Sequence, residues 1–386
     1  MIDTPITADL VRGGGELSRH DGVTRLHRLP LPYREREADA QLRMVERQPS
    51  GIRLSLRTTA TVVELALRAT RVSYRGLDRA RGRVDVLVDG ERLLSHPLSE
   101  GDALELDMAT GAATSMAGEA DVVRVDGLGS ADKIVQLWLP HNEQVDLVSL
   151  RSDAPIHPVV DDRPVWLHHG SSISQGSNAA APTEIWPVVA ARRADVKLRN
   201  LGFGGSALVD PFLARVMRDA EADVISVKLG INVVNLDGMH ARTFVPAVHG
   251  FLDTIREGHP DTPLLLVSPI FTAIHEKTPG PGSFDAEGLR TGEMRFIATG
   301  DPGATARGRL SLEVVRDLLA GVVRDRADDP FLGYLDGLDL YGADDFAARP
   351  LPDGLHPDSP THQLIGERFA AAAFGPGGLL GVVRGR

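Results

Sequence analysis

The sequence predicts two domains: an all-β sandwich, then an α/β domain in which helices cover a parallel sheet. Three observations carry this. Up to about residue 155 the chain holds short segments of alternating apolar and polar residues, with frequent turns and almost no long helical periodicity. From Pro164 onward, apolar strand segments alternate with helical segments. Between the two lies Ser152 to Pro164 (SDAPIHPVVDDRP), whose three prolines and three acids read as a linker. The predicted boundaries are 1–155 for the β domain and 163–386 for the α/β domain.

In the first domain, Ile52 to Thr58 (IRLSLRT) and Val62 to Leu67 (VVELAL) have the period of half-buried strands. Arg83 to Leu94 (RVDVLVDGERLL) reads as a hairpin turning at Asp89-Gly90, a dipeptide suited to a two-residue turn. Ile134 to Leu139 and Val145 to Leu150 are two more strands. In the second domain the predicted strands are Val165 to His168, Leu198 to Phe203, Ala222 to Leu229, Pro263 to Ile270 and Leu332 to Leu340. The helices are Thr183 to Arg193, one opening at Asp210-Pro211, Thr243 to Glu257, Ser311 to Arg326, and one opening at Ser359-Pro360 and running to about Ala373. Pro263 to Ile270 is nearly all apolar, as expected of a strand covered on both faces. Thr278 to Gly303 is rich in Gly and Pro and reads as an irregular insertion, of a kind associated with lids and substrate loops.

Composition narrows the function. The chain has 386 residues, 42% hydrophobic and 25% charged, as in ordinary globular proteins rather than disordered ones. With no cysteine, disulfides, thiolate metal sites and a cysteine nucleophile are excluded. A net charge of -11, without a basic tract, speaks against binding to nucleic acid. No apolar run reaches the roughly 20 residues that span a bilayer. The N-terminus lacks a basic segment followed by an apolar core, so it does not read as a secretory signal, and a cytoplasmic location is expected.

Four segments carry candidate chemistry. The first predicted strand of the α/β domain runs into His169-Gly170-Ser171-Ser172-Ile173-Ser174-Gln175-Gly176. A tight turn after a buried strand exposes a serine hydroxyl and aims backbone N–H groups at a developing oxyanion. Asn200-Leu201-Gly202-Phe203-Gly204-Gly205-Ser206 follows the next strand, and its glycines let backbone approach a ligand closely. Lys228-Leu229-Gly230-Ile231-Asn232 ends another strand and offers a side-chain amide. Asp353-Gly354-Leu355-His356-Pro357-Asp358 precedes the last helix, where the spacing lets an acid and an imidazole face one point. Each segment alone is equally an ordinary turn. Four of them in this order, each after a strand or before a helix of one α/β region, point to a nucleophilic hydrolase.

Together these blocks resemble those of the SGNH/GDSL hydrolase superfamily over about residues 163 to 375. The resemblance implies a flavodoxin-like three-layer parallel sheet, with Ser172 as nucleophile and Asp353 and His356 completing a catalytic triad. It implies an oxyanion hole from the N–H groups of Ser172 and Gly205 and the side chain of Asn232. The layout is similar to that of two-domain bacterial GDSL-type esterases, including some carbohydrate deacetylases. That implies a jelly-roll-like first domain, a short acyl group such as O-acetyl, and a small-molecule or carbohydrate ester as substrate, with neither cofactor nor metal. Two positions depart from the family pattern: Ser171 and Val233 stand where acids are usual. These acids support the loops, so their loss implies a different packing on the oxyanion side. Ser171, Ser174 and Lys228 are the candidates to compensate.

Other readings use the same residues differently. An acyltransferase would keep the triad and exclude water in favour of an alcohol or amine. A metal-dependent hydrolase would use His168, His169, Asp161 and Asp162, but adjacent residues of a strand point to opposite faces. A sugar-binding role is open for residues 1 to 155. His259-Pro260-Asp261 reads as a turn, His275 as a candidate pocket residue, Trp166 and Trp186 as core, and Leu338 to Tyr341 as a strand end with an exposed acid.

Overall fold

The computed structural model describes residues 1–77, 79–107 and 110–381; the last five residues of the predicted second domain lie outside the described residues. The chain divides into two compact units, Met1–Asp162 with Ala180–Thr183, and Arg163–Ala179 with Glu184–Arg386.

The first unit is β-rich. Among the described residues it contains an eight-stranded and a six-stranded sheet. Strand Val63–Tyr74 is central to the larger sheet and strand Lys133–Trp138 to the smaller. Alternate residues of the strands turn inward: Val63, Leu65, Leu67 and Ala69 from one sheet meet Leu54, Leu56, Val84, Val86, Val135 and Leu137 from the other in a shared core. That is the arrangement of a sandwich. The predicted hairpin is present as Arg83–Val88 and Glu91–Pro97. Asp89 and Gly90 have φ of 50° and 89°, so both turn residues are left-handed.

Two parts of this unit differ from the sequence reading. The segment 152–164 is not a free linker: Ile156–Pro158 is a strand paired with Arg53–Thr58. It lies at the edge of the smaller sheet, where a proline costs no ladder hydrogen bond. Two short helices, Leu31–Arg36 and Ala40–Glu46, interrupt the strands. Each spans less than two turns, too short for a helical period to stand out in sequence.

The second unit is built on a five-stranded, all-parallel sheet. Its strands lie in the order Lys197–Gly202, Val165–Gly170, Val224–Lys228, Leu264–Val267, Leu332–Leu335. The chain enters on the second of these and reverses direction across the sheet, as in flavodoxin-like folds. Residues of Val165–Gly170 alternate between helical layers. Trp166 and His168 face one side, where Trp166 stacks on Phe369 at 5.1 Å and His168 meets Trp186 at 4.8 Å. His169 faces the other side, stacking on Phe251 at 6.0 Å. Helices Trp186–Ala194 and Ser359–Phe369 thus cover one face and Ala241–Gly258 the other. Trp166 and Trp186 are fully buried core residues.

Three local readings change here. The strand predicted over Leu332 to Leu340 stops at Leu335, and Asp336 caps a short helix Gly337–Leu340 by accepting the Leu338 N–H. The stretch 278–303 is ordered by a hairpin, Gly282–Phe284 with Phe296–Ala298, around a helix Ala286–Thr291. The last α-helix ends at Phe369 and continues as a π-turn to Phe374. Among the described residues no helix is long and apolar enough to cross a membrane.

Candidate active site

The buried strand Val165–Gly170 ends at the carboxyl edge of the sheet, where Ser171 opens the short helix Ser172–Gln175. Ser171 Oγ accepts the Ile173 N–H at 3.3 Å, so a hydroxyl caps the turn where the family pattern has an acid. Gly176 ends the helix at φ 114°, and its N–H and that of Ser177 both donate to the Ser172 carbonyl, at 2.9 and 3.0 Å. The turn packs tightly on the neighbouring strand. A Cβ on Gly202 would lie 2.5 Å from the Gln175 nitrogen, so only glycine fits there. Asn200 Nδ2 donates to the Ser174 carbonyl at 2.9 Å and ties the same two segments together.

Across the carboxyl edge, the loop before the last helix brings Asp353 and His356 to this turn. Ser172 Oγ lies 2.9 Å from His356 Nε2, and His356 Nδ1 lies 2.8 Å from Asp353 Oδ2. A carboxylate can only accept, so Nδ1 carries the proton and Nε2 presents its lone pair to the serine hydroxyl. Asp353 is well supplied with donors. Oδ1 accepts the N–H groups of Leu355 and His356 at 2.9 and 2.7 Å, and Oδ2 also accepts Asn178 Nδ2 at 3.0 Å. Burial pushes this carboxyl's pKa up, but the hydrogen bond from His356, its charge and the backbone N–H groups outweigh burial and hold it below the ordinary carboxylate value.

The glycine loop and Asn232 supply donors on the other side. The Gly204 N–H donates to Gln175 Oε1 at 2.7 Å and the Ser206 N–H to the Phe203 carbonyl at 3.1 Å. Between them Gly205, at φ 73°, keeps its N–H as the loop's remaining donor among the described residues. Asn232 is in the first turn of helix Ile231–Asn235, not at a strand end as its sequence context suggested. Gly230 makes the turn into that helix at φ 120°, a backbone that side chains rarely adopt. Asn232 Oδ1 accepts the Ala207 N–H at 3.1 Å, which fixes the amide and leaves Nδ2 as its donor. Val233 is fully buried and fills the place of the usual acid as core.

All these residues belong to the second unit. The structure brings Ser172, His356 and Asp353 together in one hydrogen-bonded line. The loop that holds Gly204 and Gly205 is tied to Asn232 through the Ala207 N–H, with Gly204 beside the Ser172 turn: a Cβ there would sit 3.5 Å from Ser172 Cβ. Gln175, Asn178, Ala207 and Phe296 also shape the site and were not singled out from sequence. The Phe296 N–H donates to the Asp353 carbonyl at 2.8 Å, and its ring meets the His356 ring edge-on at 5.4 Å. The 278–303 insertion therefore borders the imidazole. The only sequence signal for Gln175 and Asn178 was their place just after the glycine-rich turn.

The other candidates are structural. His168 is held between Ser226 Oγ at 2.7 Å and Ser174 Oγ at 2.8 Å, and His169 Nδ1 lies 2.8 Å from the Leu201 carbonyl. They face opposite layers and cannot hold one ion. Burial pushes His168 well below the ordinary histidine range, helped by the His169 and Lys228 charges, and takes His169 down to about 4. Ser174 is thus engaged with His168. Lys228 is buried, and burial, with the charge of Arg316, pulls its amine down to about 7. His259 Nε2 lies 3.0 Å from the Met217 carbonyl, and His275 lies between the Thr278 carbonyl and Asn235 Oδ1, at 3.1 and 3.3 Å. Asp339 is exposed on the short helix.

Comparison with known proteins agrees with this architecture. Residues 163–276 match the model of the GDSL-like lipase/acylhydrolase family. Among solved structures, a salicylyl-acyltransferase, SsfX3, from a tetracycline biosynthetic pathway is 26% identical, with a TM-score of 0.74 over 93% of this chain and 92% of that one. A GDSL-like lipase from Bacteroides ovatus is 18% identical, with a TM-score of 0.66 over 95% and 94% of the chains. An active-site mutant of a family two carbohydrate esterase from Clostridium thermocellum is 16% identical, with a TM-score of 0.56 over 84% and 91%. No curated protein matches the chain. Residues 163–276 thus match a GDSL-like lipase/acylhydrolase domain, following a β-rich unit, and the chain is an enzyme of acyl-ester hydrolysis or transfer.

Proposed function

We propose that the chain is a serine esterase acting through an acyl-enzyme on Ser172. The observation that carries this is the line Ser172 Oγ, His356 Nε2, His356 Nδ1, Asp353 Oδ2, with separations of 2.9 and 2.8 Å. His356 takes the Ser172 proton as Oγ attacks the ester carbonyl, and Asp353 holds the ring and stabilises the imidazolium. The N–H groups of Ser172 and Gly205 and the Asn232 Nδ2 receive the oxyanion. His356 then returns the proton to the leaving alcohol, and water, activated by the same imidazole, releases the acid. The proposed substrates are short acyl esters, such as O-acetyl groups on a small molecule or carbohydrate. In this reading residues 1–155 form an accessory domain and residues 163–386 do the chemistry. A fluorophosphonate probe should add one adduct, mapped to Ser172 by mass spectrometry and absent in Ser172→Ala. Adduct formation on the variant at the wild-type rate overturns the assignment.

A second reading, acyl transfer to an alcohol or amine, is favoured by the likeness to the salicylyl-acyltransferase, which spans nearly all of both chains. The chemistry differs only in what attacks the acyl-enzyme. Product analysis with an ester donor and a competing acceptor separates them: free acid at all acceptor concentrations supports the esterase, and acylated acceptor in excess of acid supports the transferase.

A further inference from the structure

We propose that Asn178 is a positioning residue that holds the Asp353 carboxylate in the orientation His356 requires and fastens that acid to the nucleophile's own turn. The proposal rests on the reading of Asp353 and His356 given above. Asp353 Oδ2 is shared between two donors, His356 Nδ1 at 2.8 Å and Asn178 Nδ2 at 3.0 Å, while Oδ1 is taken up by two backbone N–H groups of its own loop. A carboxylate oxygen accepts about two good hydrogen bonds, so Asn178 completes the shell around the group. Without it, that second site on Oδ2 falls to water, which has no fixed geometry.

Asn178 is placed for this by the nucleophile's turn. The chain leaves Ser172–Gln175 through Gly176, whose N–H returns to the Ser172 carbonyl, and the Ala179 N–H donates to the Gly176 carbonyl at 3.0 Å. Asn178 sits in this reversal at φ 67°, a left-handed conformation that asparagine tolerates better than most residues. One side chain therefore joins two segments 175 residues apart, one bearing the hydroxyl and the other the acid. The amide has a second effect. Its N–H draws charge from the oxygen that faces the imidazolium, so removing it makes Oδ2 a stronger partner for the His356 proton. Among the described residues, His356 acts on the buried His362, which is also influenced by Asp358, the cap of the last helix, and by Glu184, whose carboxylate accepts the Ser359 hydroxyl. His362 is buried and pushed down to about 4, so it is neutral near neutral pH.

The test compares Asn178→Gly and Asn178→Asp with the wild type in ester hydrolysis, measuring kcat and KM across pH. Glycine keeps the left-handed backbone and removes only the amide; aspartate keeps the shape and adds a charge. For Asn178→Gly we expect kcat to fall about tenfold with KM within about twofold. The acid limb of kcat/KM should move up by about half a pH unit. Asn178→Asp, with a second carboxylate beside the first, should move it further, by about one unit. A purely structural role would lower Tm or activity without moving the limb. The proposal is overturned if both folded variants keep the wild-type limb, or if Asn178→Gly keeps wild-type kcat. Should Asn178→Gly fail to fold, the near-isosteric Asn178→Asp decides by its limb alone. Asp353→Asn in the same assay separates the two levels: if it retains wild-type activity, the reading of the triad fails and not only that of Asn178.

Discussion

Each of the two units contains a serine, an imidazole and a buried carboxylate in a hydrogen-bonded line. In the second unit the line is Ser172, His356, Asp353, at 2.9 and 2.8 Å. In the first, Ser18 Oγ lies 3.0 Å from His27 Nε2, and His27 Nδ1 lies 2.9 Å from Glu46 Oε1. The distances are alike and the surroundings are not. Ser18 is on the strand Glu16–His20 at the edge of its sheet, with extended backbone on both sides; the glycines before it pack on backbone, Gly13 against Gly51 and Gly15 against the His27 carbonyl. Ser172 is at the first position of a helix, beside Gly204 and across from His356.

The acids differ as well. Glu46 Oε2 accepts the N–H groups of Arg28 and Leu29, at 3.1 and 3.5 Å. It also compensates the buried Arg28 guanidinium, whose pKa burial pushes down to about 9 and the Glu46 charge pushes back up. Arg34 Nη1 approaches the same His27 Nδ1 at 3.0 Å, so the imidazole sits inside a charge network. Among the described residues, the Asp353 carboxylate accepts from its own loop, from His356 and from Asn178. A relay of three residues is thus easy to form wherever a polar network is buried. A nucleophile needs, in addition, an exposed turn and donors aimed at the place where negative charge develops.

That contrast can be broken at each point. The largest expected effect is on Ser172→Ala, which should lower kcat/KM for a para-nitrophenyl acyl ester by roughly 10⁴ to 10⁶. Ser18→Ala in the same assay should stay within about twofold; a loss in the second variant comparable to the first would make the first unit's relay part of the reaction. Next, Asn232→Ala should lower kcat by about 10² to 10³ with KM little changed, since the amide acts on the transition state. A purely KM effect would place Asn232 in substrate binding instead.

A third comparison is between rate and stability. Glu46→Gln should leave kcat within a few-fold of wild type and cost about 3 kcal/mol in urea unfolding, because it strands the buried Arg28 charge. A large kcat loss in a folded Glu46→Gln variant would contradict the structural role given to this network. The smallest effect concerns pH. Asp353 has a folded-state pKa below its unfolded value, so its contribution to stability is fully present above about pH 4 and is lost as pH falls through the folded value. The stability gap between wild type and Asp353→Asn should therefore be largest near neutrality and close as pH falls below about 4. A gap that widens in acid would mean the carboxyl is destabilised by burial in the fold.

Much of the site was legible in the sequence because its parts are local. A glycine turn after an apolar strand, a second glycine loop, an Asn after Lys228-Leu229-Gly230-Ile231, and an acid three residues before a histidine are each written within a few residues. What they face was not written there. Ser171 could be read as a missing acid, but the cap it makes to Ile173 depends on the dihedral angles of the turn. Val233 could be read as a departure, but its full burial depends on how helix Ile231–Asn235 packs. The 152–164 segment reads as a linker because prolines and acids dominate it, yet its edge position lets three of its residues add a strand.

The sequence by itself determined the main alternation of strands and long helices in the α/β domain, the β-rich character of the first, and the residue types a serine hydrolase needs. These follow from periodicity and turn chemistry, which act over one or two turns of chain. The tertiary structure alone decided that Ser172 meets an imidazole 184 residues away, and that Asn178 and His356 share one oxygen of Asp353. It also decided that the relay at Ser18 lies on an extended edge strand and not at the start of a helix. Hydrogen bonds form over about 3 Å whatever the distance along the chain, so only the folded arrangement distinguishes a reactive serine from a structural one.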